Sequence, residues 1–128
     1  MTREQRYARE VFDRIKPLAA RPESERKAYG SLAHKLPVLI RTSGLAQALA
    51  FVEARNGDNT PQRQLLKDLE AVLRANGALA ENARLTDRSR NADFEEYMRL
   101  TEASLQALLW FKRFAQSELK VEAGTETG

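Results

Sequence analysis

Few side chains in this sequence could carry out catalysis or bind a metal ion. The chain has one histidine, His34, and no cysteine. Thiol catalysis and thiolate metal sites are therefore excluded, and zinc sites need more His or Cys ligands than this sequence supplies. His34 lies in a helical pattern with no acid beside it. Although it could serve a serine as a base, a packing or surface role fits it better.

The carboxylates offer no better case for an enzyme. Asp93, Glu95 and Glu96 are close in sequence, but acids are expected in the first turn of a helix because the helix dipole favours them there. The Glu-x-x-His pairs of di-iron bundles are absent, as are the glycine patterns of phosphate and dinucleotide loops. The sequence thus predicts a protein that is not an enzyme, with no catalytic residues, no metal site and no cofactor.

Basic side chains are the remaining candidates for binding a ligand. Up to Arg41 the chain has ten Lys or Arg residues against five acids, and fifteen of its 21 cations are arginine. This excess favours a polyanionic partner, although the same residues could simply solvate helix faces. Lys112 and Arg113 stand in the most aromatic part of the chain, where a cation must reach solvent, a carboxylate or a phosphate. Extension to solvent at the edge of the core is an equally good interpretation of this pair.

The elements that would position these residues are all predicted to be helices. Apolar residues recur every three or four positions, and no alternating pattern of β-branched residues predicts a strand. Thr2 and Gln5 form a capping box at the start of the first helix. A second helix should kink or restart at Pro37, leaving a short helical piece at residues 38–41, and Ser43 should cap the next helix.

The second half of the chain predicts two further long helices. Thr60 and Pro61 should begin one, which ends at Asn76 and Gly77, and a polar connection leads to a last helix over about residues 92–120. Large apolar residues cover most of the circumference of this last helix, so it should be buried on several sides or meet a partner. We expect an all-α fold, a single compact bundle of about six helices, two of them short.

The expected domain boundaries and location follow from the same patterns. Residues 1–120 should form a single helical domain, and residues 121–128 a flexible C-terminal tail. The apolar run HKLPVLIRTSGLAQALAFV (34–52) is a poor membrane segment because Arg41 lies in its middle. The first residues are charged, which argues against secretion, and the absence of cysteine fits a reducing cytosol. We therefore expect a cytoplasmic protein with no membrane partner.

Two motifs resemble a known family. The segment YGSLAHKLPVLIRTSGLAQALAFV (29–52) resembles the signature of the small subunit of the type III-B CRISPR effector, the Cmr complex. Near the C-terminus, Tyr97 and Leu-Thr (100–101) precede LLWFKRFA (108–115), which resembles a second motif of that subunit. The chain length, the all-α prediction and the order of the motifs agree with the same family, whereas residues 56–90 contribute little.

This resemblance implies a function in antiviral defence. The family's small subunit is a non-catalytic part of a CRISPR RNA-guided ribonucleoprotein, stacked in several copies beside the backbone subunits. The implied partners are the other subunits of the Cmr effector complex, neighbouring copies of the chain itself, CRISPR RNA and target RNA. Apolar patches would join neighbouring copies and the large subunit. The basic members of both motifs, which would contact RNA phosphates, are Lys35, Arg41, Lys112 and Arg113.

Two other functions fit some of the same residues. A helical adaptor or assembly module with no direct nucleic-acid contact would show much the same pattern. Phosphate binding differs from it because phosphate contacts weaken steeply as ionic strength rises. A helix-turn-helix DNA-binding protein would need a polar recognition helix, and the helix after Ser43 has no polar face to read bases. The sequence therefore argues against this last function.

Overall fold

Six α-helices and one 3₁₀-helix make up the described part of the chain. The computed structural model describes residues 1–124, and no strand occurs in that span. The helices, in chain order, are α1 (Arg3–Ile15), α2 (Glu23–Ser43), α3 (Leu45–Arg55), α4 (Pro61–Ala75), α5 (Leu85–Asn91) and α6 (Phe94–Ser117), and the 3₁₀-helix follows α1 at Lys16–Ala20. The predicted all-α bundle of about six helices is confirmed.

The predicted starts of α1 and α4 are confirmed by their caps. Thr2 Oγ1 accepts a hydrogen bond from the Gln5 amide at 3.0 Å, and the Thr2 amide donates to Gln5 Oε1 at 2.8 Å, so the capping box is complete. At the start of α4, Thr60 Oγ1 accepts from the Arg63 amide at 3.2 Å. A cap of this kind stabilises its helix by about 1 kcal/mol.

α2 does not restart at Pro37. The helix runs through this residue to its end at Ser43, so residues 38–41 are not a separate helix. Pro37 removes one backbone hydrogen bond, but Leu36 and Ile40 on either side are almost fully buried, and their burial offsets that loss.

The sixth helix is instead α5, in the stretch predicted to be a polar connection. Its seven residues include one large apolar side chain, which is too few to give a helical period.

Gly44, and not Ser43, separates α2 from α3. Its φ of 87° lies in the left-handed region that favours glycine. The Gly44 amide donates to the Ile40 carbonyl oxygen at 2.9 Å, and the Gly44 carbonyl oxygen accepts from the Ala48 amide at 3.0 Å. The glycine therefore ends one helix and begins the next. Ser43 is the last residue of α2, so the N-cap predicted there is wrong.

The core lies between the four helices α1, α2, α4 and α6. α6 packs against the other three, α4 also packs against α1 and α2, and α3 and α5 pack against each other beside them. Large side chains that are almost fully buried include Tyr29, Leu36, Leu65, Leu69, Leu100, Leu108 and Phe111. Because α6 is the helix shared by these contacts, it is the centre of the bundle.

Residues 119–121, which we call the α6 strap, fold back from the end of α6 onto α2. Leu119 and Val121 are almost fully buried, and His34 Nε2 lies 2.9 Å from the Val121 carbonyl oxygen. His34 therefore has the packing role expected for it. Packing extends at least to Val121, the first residue of the predicted tail. Residues 125–128 lie outside the described residues, so the flexibility of the tail stays a prediction.

Gly30 makes room for the α6 strap. A Cβ atom at Gly30 would lie 2.6 Å from the Cβ of Val121, far inside contact distance. The opposite end of α6 is tied near the end of α2, where the Tyr97 hydroxyl accepts a hydrogen bond from the Ala46 amide at 3.1 Å. α2 and α6 thus run antiparallel, and the glycine of the first motif is explained by close packing.

Candidate nucleic-acid interface

All four predicted phosphate contacts have exposed side chains. Lys35 and Arg41 lie on α2, and Lys112 and Arg113 lie on α6. Exposure lets a side chain meet a macromolecular partner, and it removes the cost of burying a cation in the aromatic part of α6. Contact with RNA itself stays a prediction.

The helices spread these four residues over more than one side of the molecule. Neighbouring residues on an α-helix are about 100° apart, so Lys112 and Arg113 point in different directions. Lys35 and Arg41 are six positions apart, which separates them by about 120° around α2. Membership of the two motifs grouped the four residues, and helical geometry divides them.

Arg113 lies on the side of α6 that faces α1. Its guanidinium carbon is 5.2 Å from the centre of the Trp110 ring. Trp110 stacks on Phe114 with ring centres 5.7 Å apart, and Phe114 meets Phe12 of α1 edge-on at 5.3 Å. Lys16 Nζ lies 5.1 Å from the centre of the Phe12 ring. These five side chains form one continuous group, which we call the cation–aromatic cluster.

Lys16 is the cation of this cluster that sequence reasoning missed. Phe12 and Lys16 are four positions apart, the spacing at which side chains on one helix face meet. That local signal was present in the sequence. Its connection to Trp110 and Arg113 was not, because those residues come from a helix much later in the chain.

A second exposed surface is apolar. Phe94, Met98 and Leu109 of α6 are 77, 50 and 40% exposed, and Val38 of α2 is 56% exposed. With the half-buried Leu105, the three α6 residues recur at spacings of four, seven and four, so they share one face of the helix. We call Phe94, Met98, Leu105 and Leu109 the apolar stripe. The apolar pattern of α6 is thus divided between a face in the core and this exposed stripe.

Tyr29 of the first motif ties α2 to α4. Its hydroxyl donates to Asp68 Oδ2 at 2.7 Å, Gln64 Nε2 donates to Asp68 Oδ1 at 2.9 Å, and Arg14 Nη1 lies 3.8 Å from Oδ1. Burial raises the pKa of the Asp68 carboxyl, while these three partners oppose the rise. Burial and the nearby Asp68 hold the pKa of Tyr29 well above its ordinary value. A buried carboxylate bonded in this way acts as a structural tie.

Two of the acids at the start of α6, Asp93 and Glu96, have structural partners as well. Asp93 accepts a hydrogen bond from the Glu96 amide at 2.8 Å and caps the helix. Glu96 accepts two hydrogen bonds from Arg88 of α5, and this pairing lowers the pKa of the Glu96 carboxyl. Within residues 1–124, no group of three or more His, Asp or Glu side chains could hold a metal ion. None of the helices in that span combines the length and low polarity needed to cross a membrane.

The fold and its surfaces define a general class of protein. The bundle exposes an apolar stripe on α6, with basic side chains beside it and on other helices. Apolar stripes are typical of contacts with other proteins, and exposed cations are typical of contacts with anions. These are the features of a helical binding and assembly module.

Comparison with known proteins gives the particular family. Residues 3–118 match the family described as CRISPR-associated protein (Cas_Cmr5), and the chain belongs to this family. It is 40% identical over 116 residues to a protein of Thermus thermophilus described as CRISPR system Cmr subunit Cmr5, with 91% of this chain and 95% of that protein covered.

A solved structure agrees with this assignment. It is the X-ray crystal structure of a CRISPR-associated Cmr5 family protein from Thermus thermophilus, which matches with a TM-score of 0.77 at 39% identity. The match covers 93% of this chain and 99% of the crystallised chain. The resemblance inferred from the two motifs is confirmed.

Proposed function

We propose that this chain is a non-catalytic small subunit of a type III-B CRISPR RNA-guided ribonucleoprotein, the Cmr complex, and acts in antiviral defence in the cytoplasm. The family match over residues 3–118 carries the proposal, because it includes both motifs. The relative from Thermus thermophilus is described as a Cmr subunit of a CRISPR system. The partners of this chain are then other Cmr subunits, neighbouring copies of itself, CRISPR RNA and target RNA.

The apolar stripe supports stacking of several copies beside the backbone subunits. Phe94, Met98 and Leu109 leave much of their apolar surface in water. Burying such a side chain completely contributes about 1.5–3 kcal/mol, so a neighbouring copy or the large subunit that covers the stripe would gain binding energy. The stripe therefore serves assembly in this proposal.

Basic side chains of α2 and α6 contact RNA phosphates in the same proposal. Arg41, Lys112 and Arg113 are exposed and form no ion pair within residues 1–124, so their charges are available to an anion, and Lys35 is exposed too. Phosphate contacts need no particular base sequence. A few cations bind weakly alone, but several linked copies on one RNA bind with much higher avidity.

The test replaces the four candidate cations in a reconstituted complex. The variant is Lys35→Gln/Arg41→Gln/Lys112→Gln/Arg113→Gln, and its affinity for RNA is measured over a series of salt concentrations. Each phosphate contact that is lost should lower the slope of log affinity against log salt by about 0.7 for a single strand. Affinity for RNA at low salt should fall as well, because fewer counterions are released on binding.

A matched control removes the same charge elsewhere. It replaces four other exposed cations with Gln, namely Arg55, Lys67, Arg84 and Arg99. This control should lose less affinity than the first variant. Unchanged affinity and slope in the first variant would contradict RNA contact at these residues. Purification of the native complex without CRISPR RNA would contradict the proposed function as a whole.

A helical adaptor without direct RNA contact is the second candidate, and the apolar stripe favours it. Such an adaptor would hold its neighbours mainly by apolar contacts, which moderate salt does not weaken. It predicts that the two variants bind the RNA of the assembled complex equally well. The salt series therefore separates the two functions.

A further inference from the structure

The cation–aromatic cluster holds two cations without carboxylate partners. Within the described residues, Lys16 and Arg113 form no ion pair and lie instead over the rings of Phe12 and Trp110. Other arginines of the bundle differ, since Arg74 and Arg88 each bind a Glu. The two cluster cations therefore keep their charge available to an anion from outside the chain.

Arg9 extends the same face of α1. It precedes Phe12 by three positions and Lys16 by seven, a spacing that puts the three side chains on one side of the helix. Arg9 is exposed, and in the described part of the chain it has no ion pair either. Asp13, the acid next to Phe12, is outnumbered by Arg9, Lys16 and Arg113. The surface around the cation–aromatic cluster is thus positive.

The aromatic rings position these cations. Arg113 carries five N–H donors, and its contact with the Trp110 ring leaves N–H groups that can still donate to an anion. Because the ring restricts the side chain, less entropy is lost when those N–H groups bind the two oxygens of a phosphate. A nucleobase would have to displace Arg113 to stack on the same side of Trp110. The geometry therefore suits phosphate groups better than bases.

We propose that the face formed by Arg9, Lys16 and Arg113 binds the phosphodiester backbone of RNA, with Phe12 and Trp110 as positioning residues. This proposal rests on the proposed function and adds a contact surface on α1 that neither motif contains. Arg113 then acts together with Lys16 across two helices, and not with its sequence neighbour Lys112. The three positive charges can neutralise up to three phosphate charges of the RNA backbone.

The experiment titrates the whole chain with an end-labelled oligouridylate. Anisotropy of the label gives the affinity, and the emission of Trp110, the single tryptophan, reports binding at the cluster. A phosphate contact that releases about 0.7 counterion strengthens binding about fivefold at 0.1 M salt relative to 1 M. At 0.1 M salt, Lys16→Gln and Arg113→Gln should therefore each weaken binding about fivefold. The matched control is Arg84→Gln, an exposed arginine at the start of α5.

Three outcomes would overturn the proposal. The first is no binding of oligouridylate by the wild-type chain, and the second is affinity in Lys16→Gln and Arg113→Gln equal to that in Arg84→Gln. The third is an equal response of Trp110 to polyglutamate, which would indicate an acidic protein as the partner. If Lys16→Gln and Arg113→Gln bind normally while a Lys35→Gln/Arg41→Gln/Lys112→Gln variant does not, this proposal fails and the proposed function stands.

Discussion

At the scale of single residues, the hydrogen bond from Tyr29 to Asp68 gives the first motif a structural meaning. Asp68 is 4% exposed, and burial raises the pKa of its carboxyl above the ordinary value. A carboxyl with a raised folded-state pKa contributes stability that is fully present below its unfolded pKa and is lost as the pH rises through the folded pKa. Burial therefore destabilises the charged form of Asp68, and its hydrogen-bond donors offset part of that cost.

Tyr29→Phe should destabilise the fold, and more so at neutral than at acidic pH. The change removes a donor to a buried carboxylate, which should cost about 1–3 kcal/mol in the free energy of unfolding at pH 7. The Tyr29 hydrogen bond also lowers the pKa of Asp68, so the variant's Asp68 should protonate at a higher pH than in the wild type. The cost should shrink as the pH falls. Urea unfolding of both proteins at several pH values measures it.

A double-mutant cycle supplies the control for this prediction. Asp68→Asn removes the charge and keeps an oxygen that can accept from Tyr29. In that background Tyr29→Phe should cost less, because no buried charge is left with one donor fewer. A cost that is the same at every pH and in both backgrounds would show that the contribution of the Tyr29 hydroxyl does not depend on the charge of Asp68.

At the scale of helices, local signals predicted most of the fold. The long helices and the caps at Thr2 and Thr60 were predictable because periodicity and capping depend on residues close in sequence. The continuous path of α2 through Pro37 was not, because burial against other helices decides it. The exposure of the candidate cations followed from their residue type. The partnership of Arg113 with Lys16 depends on how α1 and α6 pack, which no local pattern contains.

Gly30→Ala should destabilise the bundle although alanine favours helix formation. The gain in helix propensity is about 1 kcal/mol, but the added methyl group meets Val121 at 2.6 Å and must push the α6 strap away. Such overpacking costs about 1–3 kcal/mol, and the displaced Leu119 and Val121 lose burial as well. Thermal unfolding should show a lower midpoint for the variant.

Gly57→Ala is the matched control for Gly30→Ala. The nearest atom that a Cβ at Gly57 would meet is Thr60 Cγ2 at 4.0 Å, so this methyl group has space. Its effect on the midpoint should be small. A Gly30→Ala protein that melts at or above the wild-type midpoint would show that the strap moves aside without cost.

At the scale of the whole molecule, exposed cations and exposed apolar residues border each other on the outer side of α6. Arg113 lies over Trp110 toward α1, whereas Met98 and Leu109 belong to the apolar stripe. Leu109 precedes Lys112 by three positions and Arg113 by four, so the C-terminal end of the stripe lies beside these cations. A protein neighbour on the stripe and a nucleic acid on the cations would therefore lie side by side. Substitution of Met98, which is 15 positions before Arg113, should therefore affect assembly more than RNA binding.

Met98→Glu should weaken assembly and leave the fold intact. Met98 is 50% exposed, so the change should alter unfolding little. In a covered interface, however, it forfeits burial of that exposed half, about 0.8–1.5 kcal/mol, and adds the cost of taking a carboxylate out of water. Each 1.4 kcal/mol is about a tenfold change in affinity, so copies or partners should bind at least about tenfold more weakly. Sedimentation and co-purification with the other Cmr subunits measure this.

Gln106→Glu is the control for the apolar stripe. Gln106 is exposed on α6, and this substitution adds the same charge outside the stripe. It should leave assembly close to that of the wild type. Equal assembly by Met98→Glu and Gln106→Glu would mean that the stripe is not an interface.

The packing of the α6 strap on α2 has a consequence for the synthesis of the protein. His34 and the Val121 carbonyl that it contacts are 87 positions apart. At about 5–20 residues per second, a ribosome needs roughly 4–17 s to make the chain between them. During those seconds the apolar face of α2, with Leu36 and Ile40, has neither the strap nor α6 to cover it. The nascent chain thus offers chaperones a binding segment that the finished bundle hides.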